Sequence, residues 1–261
     1  MSNYRGRFVW YELMVEDQAK AKDFYGKVLN WSFDDMPMPG MDGATYVMAK
    51  SGDANVAGMM NLPPDAKAMG ARPNWGGYVA VDDVDASAKR VSEIGGKVYK
   101  EPMDIPGVGR FAVIADPDGA VIMIFKGADT TMPPPNADSR DAGFVGWREL
   151  MAGDAGKVID FYVQLFGWTK DEPFDMGPMG KYYLFSAQGV STGGMMTKPA
   201  EVPMPYWGYY FNVDGADAAI ERVKANGGQV VMGPMQVPTG EWCSTGFDNQ
   251  GVYFGLLSKT K

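Results

Sequence analysis

The chain contains no histidine. That absence removes histidine triads, His–Cys dyads and every imidazole-ligated metal site. Cysteine occurs once, as Cys243, so cysteine-rich zinc sites and iron–sulfur clusters go too. A lone thiol forms no internal disulfide, which makes a reducing cytoplasm the expected compartment. The general bases that remain are Asp, Glu, Lys and Tyr, and a metal site would need oxygen ligands. No apolar run approaches the ~18 residues of a membrane span, and the start, Met1 to Phe8, lacks the apolar stretch of a secretory signal. Net charge is −8, with acidic residues dispersed rather than blocked, so neither nucleic acid nor membrane is an expected partner.

What is present is a duplication. Adding 137 takes Trp10 to Trp147, Glu12 to Glu149, Asp17 to Asp154, Phe24 and Tyr25 to Phe161 and Tyr162, and Trp31 to Trp168. After an indel, adding 132 takes Trp75 to Trp207, Arg90 to Arg222, Gly95 and Gly96 to Gly227 and Gly228, and Asp116 to Asp248. Solenoid units recur at roughly 20 to 50 residues, so a repeat of this length copies a whole domain. The expected division is residues 1–126, a linker over 127–142 that contains three consecutive prolines, and residues 143–261. Each half is large enough to bury its own core.

Each half reads as strand, helix and three strands, then the same again. Phe8–Val15 is a β-branched and aromatic run. Asp17 suits a helix N-cap, and Ala21, Phe24, Tyr25 and Val28 mark one buried helix face. Strands are expected at Trp31–Asp35, Thr45–Lys50 and Val56–Leu62, with Pro63–Pro73 as a connector. A second module follows: strand Trp75–Val81, a helix capped by Asp85, a left-handed stop at Gly95 and Gly96, and strands at Lys97–Glu101, Arg110–Ala115 and Ala120–Phe125. Asp116, Pro117, Asp118 and Gly119 supply turn chemistry between the last two strands. The glycine-containing stretches Pro39–Gly43 and Met176–Gly180 lack phosphate-loop spacing and read as hairpin connections or lids.

A paired βαβββ module with Asp17, Phe24 and Tyr25 after its first strand and Asp116 to Gly119 before its last resembles the vicinal oxygen chelate superfamily. That is the group of glyoxalase I, bleomycin-resistance proteins and extradiol dioxygenases. Glu12, Leu13, Leu29, Asn30, Trp31 and the second set Glu149, Leu150, Phe166, Gly167 and Trp168 carry the likeness further, towards its two-domain glyoxalase-related subgroup. The resemblance implies an α+β tandem glyoxalase/bleomycin-resistance/dioxygenase fold: four βαβββ modules whose mixed sheets curl into cups, with helices outside. It also places the family's metal ligands at Trp10, Gly76 and Met123, and at Trp147, Gly208 and Gly255. None of those side chains holds a hard or borderline cation, so neither metal nor cofactor is expected.

The same resemblance, with strand period two, predicts cups lined by Trp10, Tyr78, Met123, Trp147, Tyr210, Asn212 and Tyr253, with Glu12 and Glu149 as their ionisable groups. Each Glu is either a general base or ligand anchor, or a structural acceptor of hydrogen bonds. Trp31, Trp75, Trp168 and Trp207 read as core. Met59, Met60, Met195 and Met196 read as core packing or as an adaptable pocket wall. Gly255 faces Met123 in the alignment and suggests a roomier second cup. The leading expectation is a binder of a small, flat, partly apolar molecule. The alternatives are a metal-independent lyase or isomerase using Glu12 or Glu149, a metal-dependent glyoxalase or dioxygenase, and a structural pseudo-dimer. The chain is expected to be a monomer acting as an internal pseudo-dimer, or a homodimer. The sequence leaves open which modules pair.

Overall fold

A computed structural model describes residues 4–38, 44–129 and 139–261. The first half runs β1 (Phe8–Val15), α1 (Gln18–Leu29), β2 (Ser32–Pro37), β3 (Thr45–Ser51), β4 (Ala54–Asn61), α2 (Pro64–Ala68), β5 (Asn74–Ala80), α3 (Val84–Glu93), β6 (Lys97–Ile105), β7 (Gly109–Ala115) and β8 (Val121–Gly127). The second half runs β9 (Val145–Ala152), α4 (Ala155–Phe166), β10 (Thr169–Lys170), β11 (Phe174–Asp175), β12 (Lys181–Ala187), β13 (Val190–Thr197), β14 (Tyr206–Asn212), α5 (Ala216–Ala225), β15 (Gln229–Gln236), β16 (Trp242–Phe247) and β17 (Tyr253–Ser258). Two mixed sheets result, ordered β2-β3-β4-β1-β5-β8-β7-β6 and β10-β12-β13-β9-β14-β17-β16-β15, with β11 beside β12. The tandem α+β fold implied by the resemblance is therefore present. The stretch Pro39–Gly43 and residues 130–138 of the expected linker lie outside the described residues.

Local chemistry explains the helix ends. Asp17 accepts from the Lys20 amide at 3.1 Å and Asp154 from that of Lys157 at 3.2 Å, while Gly95 and Gly227 take φ of 91° and 83° after α3 and α5. Two expectations are corrected. The α3 cap is Asp83, whose extended backbone precedes the helix and whose carboxylate accepts from Ala86 at 2.9 Å. Asp85 already lies in the first turn, where two 2.8 Å bonds from Arg110 hold its carboxyl below the usual range. The Pro63–Pro73 connector also contains helix α2, started by Pro64, because proline's fixed φ suits a first helical position.

Strand pairing follows the two halves, but compact packing does not. One compact unit comprises the described residues of Met1–Trp10, Gly76–Ala137 and Arg148–Gly208, and the other those of Tyr11–Trp75, Asp138–Trp147 and Tyr209–Lys261. Each unit thus combines one module from either half.

In the first unit, α4 buries Phe161 and Tyr162. The Tyr162 hydroxyl donates to Asp116 at 2.9 Å and accepts from the Trp207 indole at 3.1 Å. Trp168 stacks on Phe185 at 4.1 Å and donates to the Gly6 carbonyl at 2.6 Å. The second unit repeats the arrangement. The Tyr25 hydroxyl donates to Asp248 at 3.0 Å and accepts from Trp75 at 2.9 Å, while Trp31 donates to Gly143 at 2.9 Å. All four core tryptophans are buried, as their positions suggested.

Each of these aspartates also holds its own turn. Asp116 Oδ1 accepts from Asp118 and Ala120 at 3.0 and 2.9 Å, and Asp248 Oδ1 from Gln250 and Val252 at 2.8 and 2.9 Å. Burial pushes both carboxyls above their ordinary 3.8, and lifts the Tyr25 phenol well above its ordinary range.

Two outcomes follow. Tyr25→Phe or Tyr162→Phe strands a buried Trp N–H and a buried carboxylate oxygen, so either is expected to cost roughly 2–4 kcal/mol in urea unfolding. A raised folded-state carboxyl stabilises the fold below its unfolded pKa and loses that contribution as pH rises through the folded value. The stability advantage of wild type over Asp248→Asn is therefore expected to shrink as pH is raised upward from about 4. An advantage that grew with pH would contradict the assignment.

Candidate functional site

The first unit carries two strand faces of interest. On one, Trp10 packs with Tyr4, Phe111, Val113 and Phe125 against buried Val9, Tyr78, Ala80 and Met123. Register explains the grouping: Tyr78 lies beside Met123 and Met123 beside Val113, while Ala80 lies beside Phe125 and Phe125 beside Phe111. The Tyr78 ring sits 6.2 Å from that of Phe111 and 6.1 Å from that of Phe125. Trp10, Tyr78 and Met123 are thus brought together, and Met123 is 3% exposed.

On the unit's β9, β13 and β12 strands, Glu149, Gly194 and Leu184 form one row. The Tyr182 ring lies where a Cβ on Gly194 would be. Its hydroxyl donates to Glu149 Oε1 at 2.8 Å. Half-buried Met151 and Met196 occupy the next row of this face. Glu149 accepts from a phenol rather than from a Trp N–H or the backbone in this bond.

The second unit holds the counterparts. Trp147 and Val237 pack against buried Tyr210, Cys243 and Leu257. Tyr210 lies beside Gly255, and its ring takes the space a Cβ there would occupy. The expected extra room is therefore absent at that point, because the glycine seats an aromatic ring. Asn212 lies flat on Gly146 and donates to the Ser139 carbonyl at 3.3 Å. The first half has Val9 and Ala80 at these two positions, so bulk has moved from one strand to its neighbour. Tyr253 lies at the far end of β17, edge-on to Phe247 at 5.8 Å.

Glu12 belongs to this unit too, 7% exposed, in a row with Gly58 and Met48 and next to the row of Met14 and Met60. Of the paired methionines, Met59 and Met195 are core, whereas Met60 and Met196 lie half-buried on the carboxylate faces.

These surroundings do not fit a family-type cation. The ligand positions hold indole, thioether or bare backbone, Met123 is packed into an apolar cluster, and Gly255 is covered by Tyr210. Among the described residues, no group of three or more His, Cys, Asp and Glu could hold a metal ion. Tyr182 and Gly194 are functional candidates that sequence reasoning missed. Their signal was available, since Tyr46 and Gly58 recur as Tyr182 and Gly194 at an offset of 136.

Gly146→Val is expected to overpack against Asn212 and cost about 1–3 kcal/mol. Adding Asn212→Ala restores the first-half pair and should recover most of that loss in a double-mutant cycle of unfolding free energies. Strict additivity would show that the two side chains do not compete for one space.

The chain is 33% identical to CFP32 of Mycobacterium tuberculosis (strain CDC 1551 / Oshkosh), a protein carrying a glyoxylase name, over 98% of this chain and 96% of that one. It is 31% identical to the anthracycline biosynthesis proteins DauV of Streptomyces sp. (strain C5) and DnrV of Streptomyces peucetius, over 97% of the chain and 93% of each relative. Among solved structures, a Mn(II)-bound glyoxalase from Novosphingobium aromaticivorans superposes with a TM-score of 0.65 at 17% identity, covering 100% of this chain and 84% of that one. A variant of homoprotocatechuate 2,3-dioxygenase from B. fuscum gives 0.67 at 15%, covering 100% and 73%. Those two likenesses establish fold alone. The model of the Glyoxalase/Bleomycin resistance protein/Dioxygenase superfamily matches residues 7–124 and 145–256, and the chain belongs to that superfamily.

Proposed function

We propose that the protein binds a small, flat, partly apolar molecule on its aromatic and methionine-lined strand faces. The observation that supports this reading is that Trp10 and Met123, at positions where the superfamily places metal ligands, pack with Tyr78, and that Trp147, at another such position, packs against Tyr210. An indole face stacks on a planar ring, and thioethers mould to irregular apolar outlines. Polar groups are few on these faces, as in a small-molecule pocket. Two relatives matched along nearly their whole length are named for anthracycline biosynthesis. Anthracyclines are fused-ring compounds, and a flat polycyclic ligand is the class that the indole walls suit.

Titration with 9,10-anthraquinone is expected to quench tryptophan fluorescence saturably. Trp10→Ala or Trp147→Ala should weaken binding by roughly 1–2 kcal/mol, a five- to thirtyfold change. Fluorescence that stays flat across a series of planar polycyclic probes would rule the reading out.

A further inference from the structure

The same backbone turn leads into both aromatic faces, and it delivers a different side chain to each. In the first unit the Arg7 amide donates to the Tyr4 carbonyl at 2.9 Å, closing a turn over residues 4–7. Gly6 sits in it at φ 81°. The Gly6 amide donates to Ala80 at 2.8 Å and the Ala80 amide to Arg7 at 2.9 Å, which lays the turn along β5. The second unit repeats the device 137 residues on. The Phe144 amide donates to Asp141 at 3.3 Å, and Gly143 has φ 86°. The Gly143 amide donates to Asn212 and the Asn212 amide to Phe144, both at 2.8 Å. Each turn is thus fastened to the strand that carries its unit's tyrosine, Tyr78 on β5 or Tyr210 on β14.

Tyr4 is half-buried and packs, as Trp10 does, against the group of Val9, Tyr78, Ala80 and Met123. Its counterpart by position is Asp141, which is exposed and accepts from the Ser139 hydroxyl at 3.0 Å. The Ser139 carbonyl in turn accepts from Asn212, where the first unit has Ala80. A carboxylate keeps to water and hydroxyl partners because an apolar surround strips its hydration, whereas an aromatic ring gains by burial against apolar neighbours. Among the described residues, the partly buried apolar side chains on the group of Tyr210, Cys243 and Leu257 are Trp147 and Val237. Neither comes from the turn.

We infer that Tyr4 is a built-in competitor for the Trp10 face, so that a planar aromatic ligand takes the Trp147 face first. The inference rests on the flat-molecule reading and assigns its principal site to the second unit. The physical reason is occupancy. A ligand stacking on Trp10 against this apolar group needs surface that the Tyr4 ring already covers. It binds only in the fraction of molecules whose Tyr4 has swung away, and its apparent dissociation constant rises by the inverse of that fraction. If about one molecule in ten is open, the face is roughly tenfold weaker, a difference of about 1.4 kcal/mol. The second unit bears no such cost at this position, since the Asp141 carboxylate bonds to Ser139. The occupant is also a guide to the guest: a six-membered aromatic ring is the shape that the Trp10 group already accommodates.

Equilibrium dialysis of 9,10-anthraquinone against the full-length protein measures how many sites fill and how tightly. Wild type is expected to show one tight site and a second roughly tenfold weaker. Trp147→Ala should weaken the tight site and Trp10→Ala the weak one, which assigns each to its unit. Tyr4→Ala and Tyr4→Asp, the latter copying the residue that the second turn carries, should bring the weak site to within about threefold of the tight one. Where wild type fills a single site, these variants should add the second. Circular-dichroism melting reports whether each variant folds, and either of the two suffices. A tyrosine that only packs would lose stability on truncation with no gain in affinity, so the gain separates competition from packing. Two equal sites in wild type, a tight site that responds to Trp10→Ala instead, or a first-unit site unmoved by removal of the Tyr4 ring would each overturn the inference. Absence of any binding is a different result, because it defeats the flat-molecule reading itself.

Discussion

A buried hydroxyl-to-carboxylate bond, made once in each compact unit, is the contact on which the remaining order depends. Tyr162 with Asp116 and Tyr25 with Asp248 each join a helix of one sequence half to a turn of the other. One oxygen of each aspartate holds two turn amides and the other receives the phenol. The phenol in turn satisfies a tryptophan indole from a neighbouring strand. Helix, turn and strand are therefore fixed by a single chain of donors and acceptors. In an apolar surround such a chain is unforgiving, because any missing member leaves its neighbours without water to replace it. The upward shift of both aspartates reflects the cost of burying their charge.

Around this frame, neighbouring strands exchange bulk. Gly255 seats Tyr210, Gly146 seats Asn212, and Gly194 seats Tyr182, a pair that recurs in the first half as Gly58 and Tyr46. In every case a glycine lets a large or polar side chain from an adjacent strand lie flat across the sheet. Val9 and Ala80 of the first half have no need of this device. Duplication has preserved the buried relay while side chains on the strand faces changed, buried Ala80 against buried Asn212 among them. The outcome is a pair of units with equivalent cores and inequivalent faces, one combining its carboxylate with Leu184 and Phe174, the other with Met48 and Met36.

Much of the fold was legible in the residues. The span Phe8–Val15, the inward positions Ala21, Phe24, Tyr25 and Val28, and the left-handed stops at Gly95 and Gly227 all depend on local rules of period and conformation. The α3 cap shows where those rules blur, since Asp83 and Asp85 are both acidic and only the backbone angle before the helix separates them. The candidate sites were legible in part. Trp10, Tyr78 and Met123 meet because strand register carries their phase from the family pattern. Tyr182 escaped notice because its value lies in reaching over Gly194 to Glu149, a diagonal across strands that no single segment encodes.

By itself the sequence determined the duplication, the module order and the loss of every histidine and of the family's cation ligands, since these are properties of residue type and spacing. Tertiary structure alone decided that Tyr25 finds Asp248, 223 residues away, and that the glycines are seats rather than openings. The reason is physical: periodicity states which side of a strand or helix a residue faces, whereas a hydrogen-bond partner or a filled space depends on what the distant chain brings within a few ångströms of that side.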